Sequence, residues 1–405
     1  YQRRVRGTMS IQDFEWYNPT KLIVKADAAP EIADYIAKDG HKSVLLVYGQ
    51  QAIKKIGLYD KIVDALKKHD IKVFELPGVR ANPEIKKVVE GVEMCRKNKI
   101  ECVLAVGGGS TYDSSKAIIV GAKFPDDVSS DKIWECYEGT RPVLGAIPLY
   151  GVLTISATGS EMNNGGVVQD DEQKKKWTFD SDFCYPKVSI VDPKLQAHLP
   201  WYQQVNGFVD AMIHVLEYLI CVEQPETAET SYALDISLVK SIIKCGDKLQ
   251  KDTNDYTARA NFCWAATTAL NYMSGVAMNG GCWAVHWIEH AMACLDPKIS
   301  HGAGLGVTFP AFVKVAAAKG WRLETFDRIA REVYGKEGWQ GLIDGFVAQL
   351  KKWNHPTTLD ELFERHVTDE EKEEMVRIYM MRPLGQYRPD IDVEAFVKEV
   401  FNNMK

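Results

Sequence analysis

The 405-residue chain has no two cysteines in a CxxC arrangement, although it holds nine of them. The odd count and the apolar runs around several exclude a disulfide framework and imply reduced, buried thiols. Basic residues are not in excess. Lys and Arg number 49 against 55 Asp and Glu, a net charge of −6, so no nucleic-acid partner is expected. No apolar run reaches the roughly 18 residues that a bilayer span needs, and no signal peptide is visible. These absences point to a cytoplasmic protein without a membrane partner. Internal repeats and low-complexity tracts are missing too. The basic opening YQRRVRGT (1–8) reads as an expression-vector remnant ahead of Met9 and is set aside.

What is present falls into two halves, as the length requires. From Thr20 to about Leu199, short β-branched runs alternate with amphipathic helical ones. SVLLVYG (43–49), KVFELPG (72–78), ECVLAVGGGS (101–110), VLGAIPL (143–149) and VSIVD (188–192) read as strands, with helical patterns over 51–70 and 82–99. That alternation predicts a doubly wound parallel sheet. After Pro200 the apolar spacing is helical throughout, which predicts an all-α half. The division is placed as an α/β domain over 9–197 and an all-helical domain over 198–405.

VLAVGGGSTYDSSK (103–116) is a strand that breaks into three glycines and then a helix. Such a turn lets a pyrophosphate approach the backbone and the positive end of the helix. It is not GxGxxG, so the usual dinucleotide fingerprint is not met, and a plain tight turn would look similar. Asp113 and Lys116 begin the helix. Spacing allows them to be a solvent-facing ion pair or to reach a cofactor ribose.

Three of the nine histidines fall between Val285 and Gly304. His286 and His290 stand four apart on one helix face, as do Asp210 and His214 in the apolar run GFVDAMIHVLEYL (207–219). A charged Asp in that run is costly unless something pairs with it. One carboxylate and three imidazoles suit a divalent first-row metal, Fe²⁺ or Zn²⁺. Asp210, His214, His301 and either His286 or His290 supply four ligands. Spacing does not choose between the last two, and the spare one would sit beside the metal as a proton relay. His41, His69, His198, His355 and His366 read as surface residues. Phe208, Met278, Trp283 and Trp287 suggest an apolar pocket, though aromatics at helical spacing also build cores.

GGGSTYDSSK (107–116), LTISATGSEMNNGGVV (153–168), VSIVDPKL (188–195), GFVDAMIHVLEYL (207–219), WAVHWIEHAMA (283–293) and ISHGAGLG (299–306) together resemble the iron-containing (group III) alcohol dehydrogenases, in particular their butanol dehydrogenase branch. The resemblance runs from about Phe14 to the C-terminal helices. It implies the dehydroquinate synthase-like superfold, an α/β dinucleotide domain followed by a helical metal domain. It implies a homodimeric, metal-dependent oxidoreductase that interconverts small primary alcohols and aldehydes with NAD(P)(H). On this chain it puts the metal on Asp210, His214, His286 and His301 and makes His290 the catalytic relay near the nicotinamide. Gly49, Gly107, Gly108, Gly109, Ser110, Asp113, Thr154, Thr158 and Lys176 become the cofactor residues, with Lys176 at the ribose.

The chain departs from the family in three places. GQQA (49–52) replaces a common GGGS, with no acidic residue to repel a 2′-phosphate and with Lys54 and Lys55 nearby, so NADP(H) is favoured over NAD(H). The loop between His290 and His301 is one residue longer. Cys282 stands where an acidic residue is common. Two rival readings remain beside this one: a glycerol dehydrogenase-like diol oxidoreductase on the same fold, and a non-catalytic nucleotide- or metal-binding protein.

Overall fold

A computed structural model describes residues 11–221, 224, 227–382 and 390–405. The presumed vector remnant, 1–8, lies outside the described residues. Eight strands form in the first half: β1 (Lys21–Val24), β2 (Ser43–Tyr48), β3 (Lys72–Leu76), β4 (Cys102–Gly107), β5 (Leu149–Leu153), β6 (Gly165–Asp170), β7 (Lys175–Asp180) and β8 (Val188–Val191). Six make one sheet in the order β1-β8-β5-β4-β2-β3. Every neighbour in it is parallel. Parallel strands covered on both faces must be apolar throughout, which is why CVLAVG and VSIV read as unbroken hydrophobic runs.

Side-chain alternation along β2 shows the two covers. Val44, Leu46 and Tyr48 pack with Leu58, Ile62 and Leu66 of the helix Leu58–Lys68. Leu45 and Val47 pack with Ile118 and Ile119 of the helix Gly109–Gly121. The helices after β2 and β4 therefore lie on opposite faces, and β2 and β4 are neighbours. That is a topological switch point. A crevice opens there beyond the carboxyl ends of the strands, where such sheets take ligands.

Three expectations from sequence need correction. The run 143–149 is not a strand: β5 begins at Leu149, where the run ends. Pro142 and Pro148 lack the amide protons a ladder needs, and Leu144 is exposed. The helical pattern over 51–70 is two helices, Ala52–Lys55 and Leu58–Lys68, parted by Gly57 at φ +71. The antiparallel hairpin β6–β7 was not foreseen at all. Its polar turn, DEQK (171–174), hides the strand alternation on either side.

Among the described residues the second half is helical. Its longest members are Trp201–Leu219, Glu229–Lys251, His301–Ala318 and Gly338–Lys352, with Ala284–Leu295 among them. One apolar cluster holds this half together. No described helix is long and apolar enough to cross a membrane. Eight of the nine cysteines, all but Cys221, are buried thiols. His355, read as a surface residue, is buried: it packs where a side chain on Gly306 would have to go.

Candidate metal centre and cofactor crevice

The apolar helix Trp201–Leu219 carries Asp210 and His214 four residues apart, so both face one way. Ala284–Leu295 brings His286 and His290. His301 opens the helix His301–Ala318, where a loop position had been expected. The imidazoles of His214, His286 and His301 converge through Nε2 on one oxygen, Asp210 Oδ1, at 3.4, 3.5 and 3.6 Å. These distances exceed an N–H···O hydrogen bond. Asp210 Oδ1 and His286 Nε2 are buried with no partner.

The opposite ring nitrogens explain why. His286 Nδ1 donates to Glu217, and His301 Nδ1 donates to Glu289. With those protons spent, the neutral rings turn Nε2 lone pairs toward a carboxylate oxygen. Negative ends meet there, and only a cation or an added proton relieves them. Donors about 2.1 Å from a tetrahedral ion lie roughly 3.4 Å from one another, close to the distance of each imidazole from Asp210 Oδ1. Asp210, His214 and His286 offer ligand atoms all within 4.8 Å of one another, and His301 does so with Glu289 and His290. The residues therefore fit a divalent metal.

The proton affinities carry the same imprint. Burial pushes the Asp210 carboxyl up, but His214, His301 and His286 outweigh it and hold it below the carboxylate range. Burial drives His214 down to about 3 despite Asp210. For His286, burial is overcome by Glu217 and Asp210, which raise it to about 9: a proton stands in for the cation. His290 is held well below its ordinary value by burial, then by the charges of Lys176, His301 and Arg382. Its ring is neutral.

Glu217 and Glu289 were missed from the sequence. Both are fully buried. Glu217 Oε1 accepts the amide of Val285 at 2.8 Å and the Cys282 thiol at 3.3 Å. Cys282 thus donates to the carboxylate that orients His286. Glu289 receives Lys176 Nζ at 2.9 Å as well as His301. A Cβ on Gly304 would lie 2.6 Å from Glu289 Cγ, so that glycine makes its room. The signal was available: a Glu inside an apolar helix demands a partner as much as Asp210 does.

The glycine turn lies at the switch point. β4 ends at Gly107, and its neighbour β2 stops just before Gly49. The helix starts at Gly109 without a side-chain cap. Thr154 N donates to Gly107 O at 2.9 Å. A Cβ on Gly109 would fall 2.4 Å from Thr158 Cγ2, so the turn and the segment 154–158 close on each other. Ser110 borders this turn. Asp113 and Lys116 are buried, which removes the solvent-facing ion pair. Asp113 accepts from Ser160 Oγ at 2.7 Å and Val167 N at 3.0 Å. Lys116 donates to Ser160, Asn163 and Gly165 at 2.7–2.8 Å.

Of three consecutive lysines on the hairpin, Lys174 and Lys176 both reach the helical half: Lys174 Nζ donates to Cys294 O at 2.9 Å, and Lys176, besides Glu289, donates to Asn82 Oδ1 at 3.0 Å. Asn82 Nδ2 in turn donates to Pro297 O and Ile299 O, each at 3.0 Å, just ahead of His301. Phe208 belongs to the core: it packs edge-on against Phe262 at 4.6 Å. Met278 is buried in the same cluster. Trp283 stands edge-on to His286 at 5.6 Å, beside the metal donors.

Two family profiles match the chain: "Iron-containing alcohol dehydrogenase" over residues 19–193 and "Fe-containing alcohol dehydrogenase family, C-terminal" over 204–403. A probable NADH-dependent butanol dehydrogenase of Bacillus subtilis is 37% identical over 306 residues, 75% of this chain and 76% of that protein. An NADPH-dependent aldehyde reductase of Escherichia coli is 33% identical over 301 residues, 74% and 75% of the two chains. The crystal structure of an NADH-dependent butanol dehydrogenase A from Thermotoga maritima superposes with a TM-score of 0.88 at 37% identity. It covers 97% of this chain and 98% of that one.

Proposed function

The chain belongs to the iron-containing alcohol dehydrogenase family, and from that premise we propose that it interconverts small, butanol-like primary alcohols and their aldehydes, with NADP(H) preferred to NAD(H). The convergence of three Nε2 atoms on Asp210 Oδ1 carries this reading. Asp210, His214, His286 and His301 would hold the cation, Fe²⁺ before Zn²⁺. When bound, a divalent metal supplies Lewis acidity that favours an alkoxide from the alcohol or polarises the carbonyl, and the nicotinamide supplies or takes the hydride.

The chain's own residues do the rest. Gly107, Gly108, Gly109 and Ser110 open the helix end toward the pyrophosphate, with Gly49, Asp113, Thr154 and Thr158 around them. Glu217 and Glu289 fix two of the imidazoles in the tautomer that offers Nε2. His290 remains neutral, and its unpartnered Nδ1 is the lone pair available to take the substrate's proton. Lys176, paired with Glu289 in this structure, would contact the ribose.

The NADP(H) preference is supported by Gly49 and Gln50, which end β2 without a carboxylate, and by exposed Lys54 and Lys55 beyond. Relatives of both cofactor types fall within a few per cent identity of each other, so this point belongs to experiment. The division at 197/198, a homodimer and a cytoplasmic location complete the proposal; their support is the resemblance and the buried thiols.

The test is chemical. Protein stripped by a chelator is assayed for butanal reduction with NADPH and with NADH, then reloaded with Fe²⁺ or Zn²⁺. Activity should vanish on stripping and return on reloading. Full activity in metal-free protein would overturn the proposal.

A further inference from the structure

The charges around His290 say something about the far end of the substrate. Arg382 follows the helix Asp369–Met380 and is only 9% exposed. Its guanidinium stands over the Trp287 ring, 4.4 Å from the centroid. Its Nε and Nη1 are buried and have no partner among the described residues. The ionisable groups that act on it are Tyr379 and Cys294, neither of them a carboxylate. The seven residues after it, PLGQYRP, contain no Asp or Glu.

Other buried cations here are provided for. Lys116 has three acceptors, and Lys176 has Asn82 and Glu289. Arg259 donates through Nη2 to Gln204 and to the Thr253 carbonyl, although its Nε has no partner among the described residues. A guanidinium cannot escape burial by losing its proton, and a buried charge without a partner is costly. Arg382 therefore keeps donors in reserve.

Its place is telling. Trp287 and His290 are three residues apart on the helix Ala284–Leu295, hence on one side of it. Arg382 lies within Coulombic range of His290. Lys176, which also acts on His290, is already matched by Glu289. Among the described residues, Arg382 is thus a positive charge near the proposed proton relay with no carboxylate partner, set against an aromatic face.

We propose that Arg382 is a substrate-recognition residue that pairs with a carboxylate at the far end of the substrate, so that short ω-carboxylated aldehydes and their hydroxy acids are preferred to plain aldehydes of equal length. The inference rests on the alcohol dehydrogenase reading above and names its substrate class. The chemistry at the near end is unchanged: the carbonyl carbon takes a hydride from the reduced nicotinamide, the oxygen takes one proton, and the carboxylate is a bystander.

The experiment compares butanal with 4-oxobutanoate, the same chain bearing a terminal carboxylate, on metal-loaded enzyme. It measures kcat/KM for both in the wild type, Arg382→Met and Arg382→Lys. Binding of 4-hydroxybutanoate and of butanol is read in parallel by tryptophan fluorescence. The wild type should favour 4-oxobutanoate. Arg382→Met should lower the ratio of the two kcat/KM values by about 30-fold, the weight of one charged hydrogen-bonded contact, mostly through KM. Arg382→Lys should recover part of it.

A wild type that favours butanal, with a ratio that Arg382→Met leaves in place, overturns the inference and leaves the alcohol dehydrogenase reading standing. If Arg382→Met does not fold, the wild-type preference and the Arg382→Lys ratio decide. If neither aldehyde is reduced, the broader reading fails. The inference then stands or falls on whether 4-hydroxybutanoate binds more tightly than butanol.

Discussion

His286 and His301 both aim Nε2 at Asp210 and both give Nδ1 to a buried glutamate, yet the two are supported differently. His286 is held from within the helical half. Glu217 comes from the neighbouring helix and also takes the amides of Val285 and His286. His301 has a 26% exposed side chain and starts a helix. Its glutamate is matched by Lys176 from the β6–β7 hairpin, and its approach loop is tied to Asn82. On the proposed assignment, one ligand is thus supported from within the helical half and the other from across the crevice by the α/β half. The centre as proposed would be complete only while the two halves are in register, so that events in the crevice would reach His301 first.

The largest expected effect abolishes the comparison. His286→Ala and Asp210→Ala should each lose bound metal on dialysis, as read by metal analysis, and activity with it. His290→Ala should keep its metal and lose on the order of 100-fold in kcat, the usual worth of a positioned acid–base group, with a changed pH–rate profile. If both histidine variants lose metal alike, the assignment of donor and relay is wrong.

The sharper test sets Glu217→Gln beside Glu289→Gln. Each should weaken metal retention by about 10- to 100-fold, the range for partners that orient a ligand, measured as chelator-driven release. Domain-crossing support makes a further distinction. Added cofactor should slow release from the wild type and from Glu217→Gln, but much less from Glu289→Gln. Equal cofactor effects in all three would refute the asymmetry.

A smaller effect is expected for the pair that spans the halves. Lys176→Met leaves Glu289 buried without its cation and should cost about 3–5 kcal/mol in urea unfolding, part of which the double variant Lys176→Met/Glu289→Gln regains. The smallest is Asn82→Ala, which removes two neutral hydrogen bonds to the loop before His301, about 1 kcal/mol each, and one acceptor of Lys176 Nζ, which keeps Glu289. It should loosen metal only a few-fold.

Much of this was legible beforehand where the cue is local. Strands β2, β4 and β8 stood out because both their faces are buried. The failures have equally local causes. Prolines interrupt 143–149, and a four-residue polar turn masks the β6–β7 hairpin. His355 looked like a loop residue because its neighbours are polar, and the packing against Gly306 that buries it comes from a distant helix. Spacing left Asp113 and Lys116 open to an ion pair in water or to ribose contacts, and it could not show that Ser160 and Val167 hold the one while Ser160, Asn163 and Gly165 hold the other.

The amino-acid order alone dictated two halves of different periodicity, a glycine break at the end of a buried strand, and two i, i+4 donor pairs on apolar helices. Each follows from the repeat of one helix or strand, which sets what shares a face over a few residues. Whether His286 or His290 meets Asp210, and that Glu217, Glu289 and Lys176 gather behind the donors, depends on how separate elements cross. Side chains far apart in the chain come within 4 Å only through packing angles that no local repeat encodes.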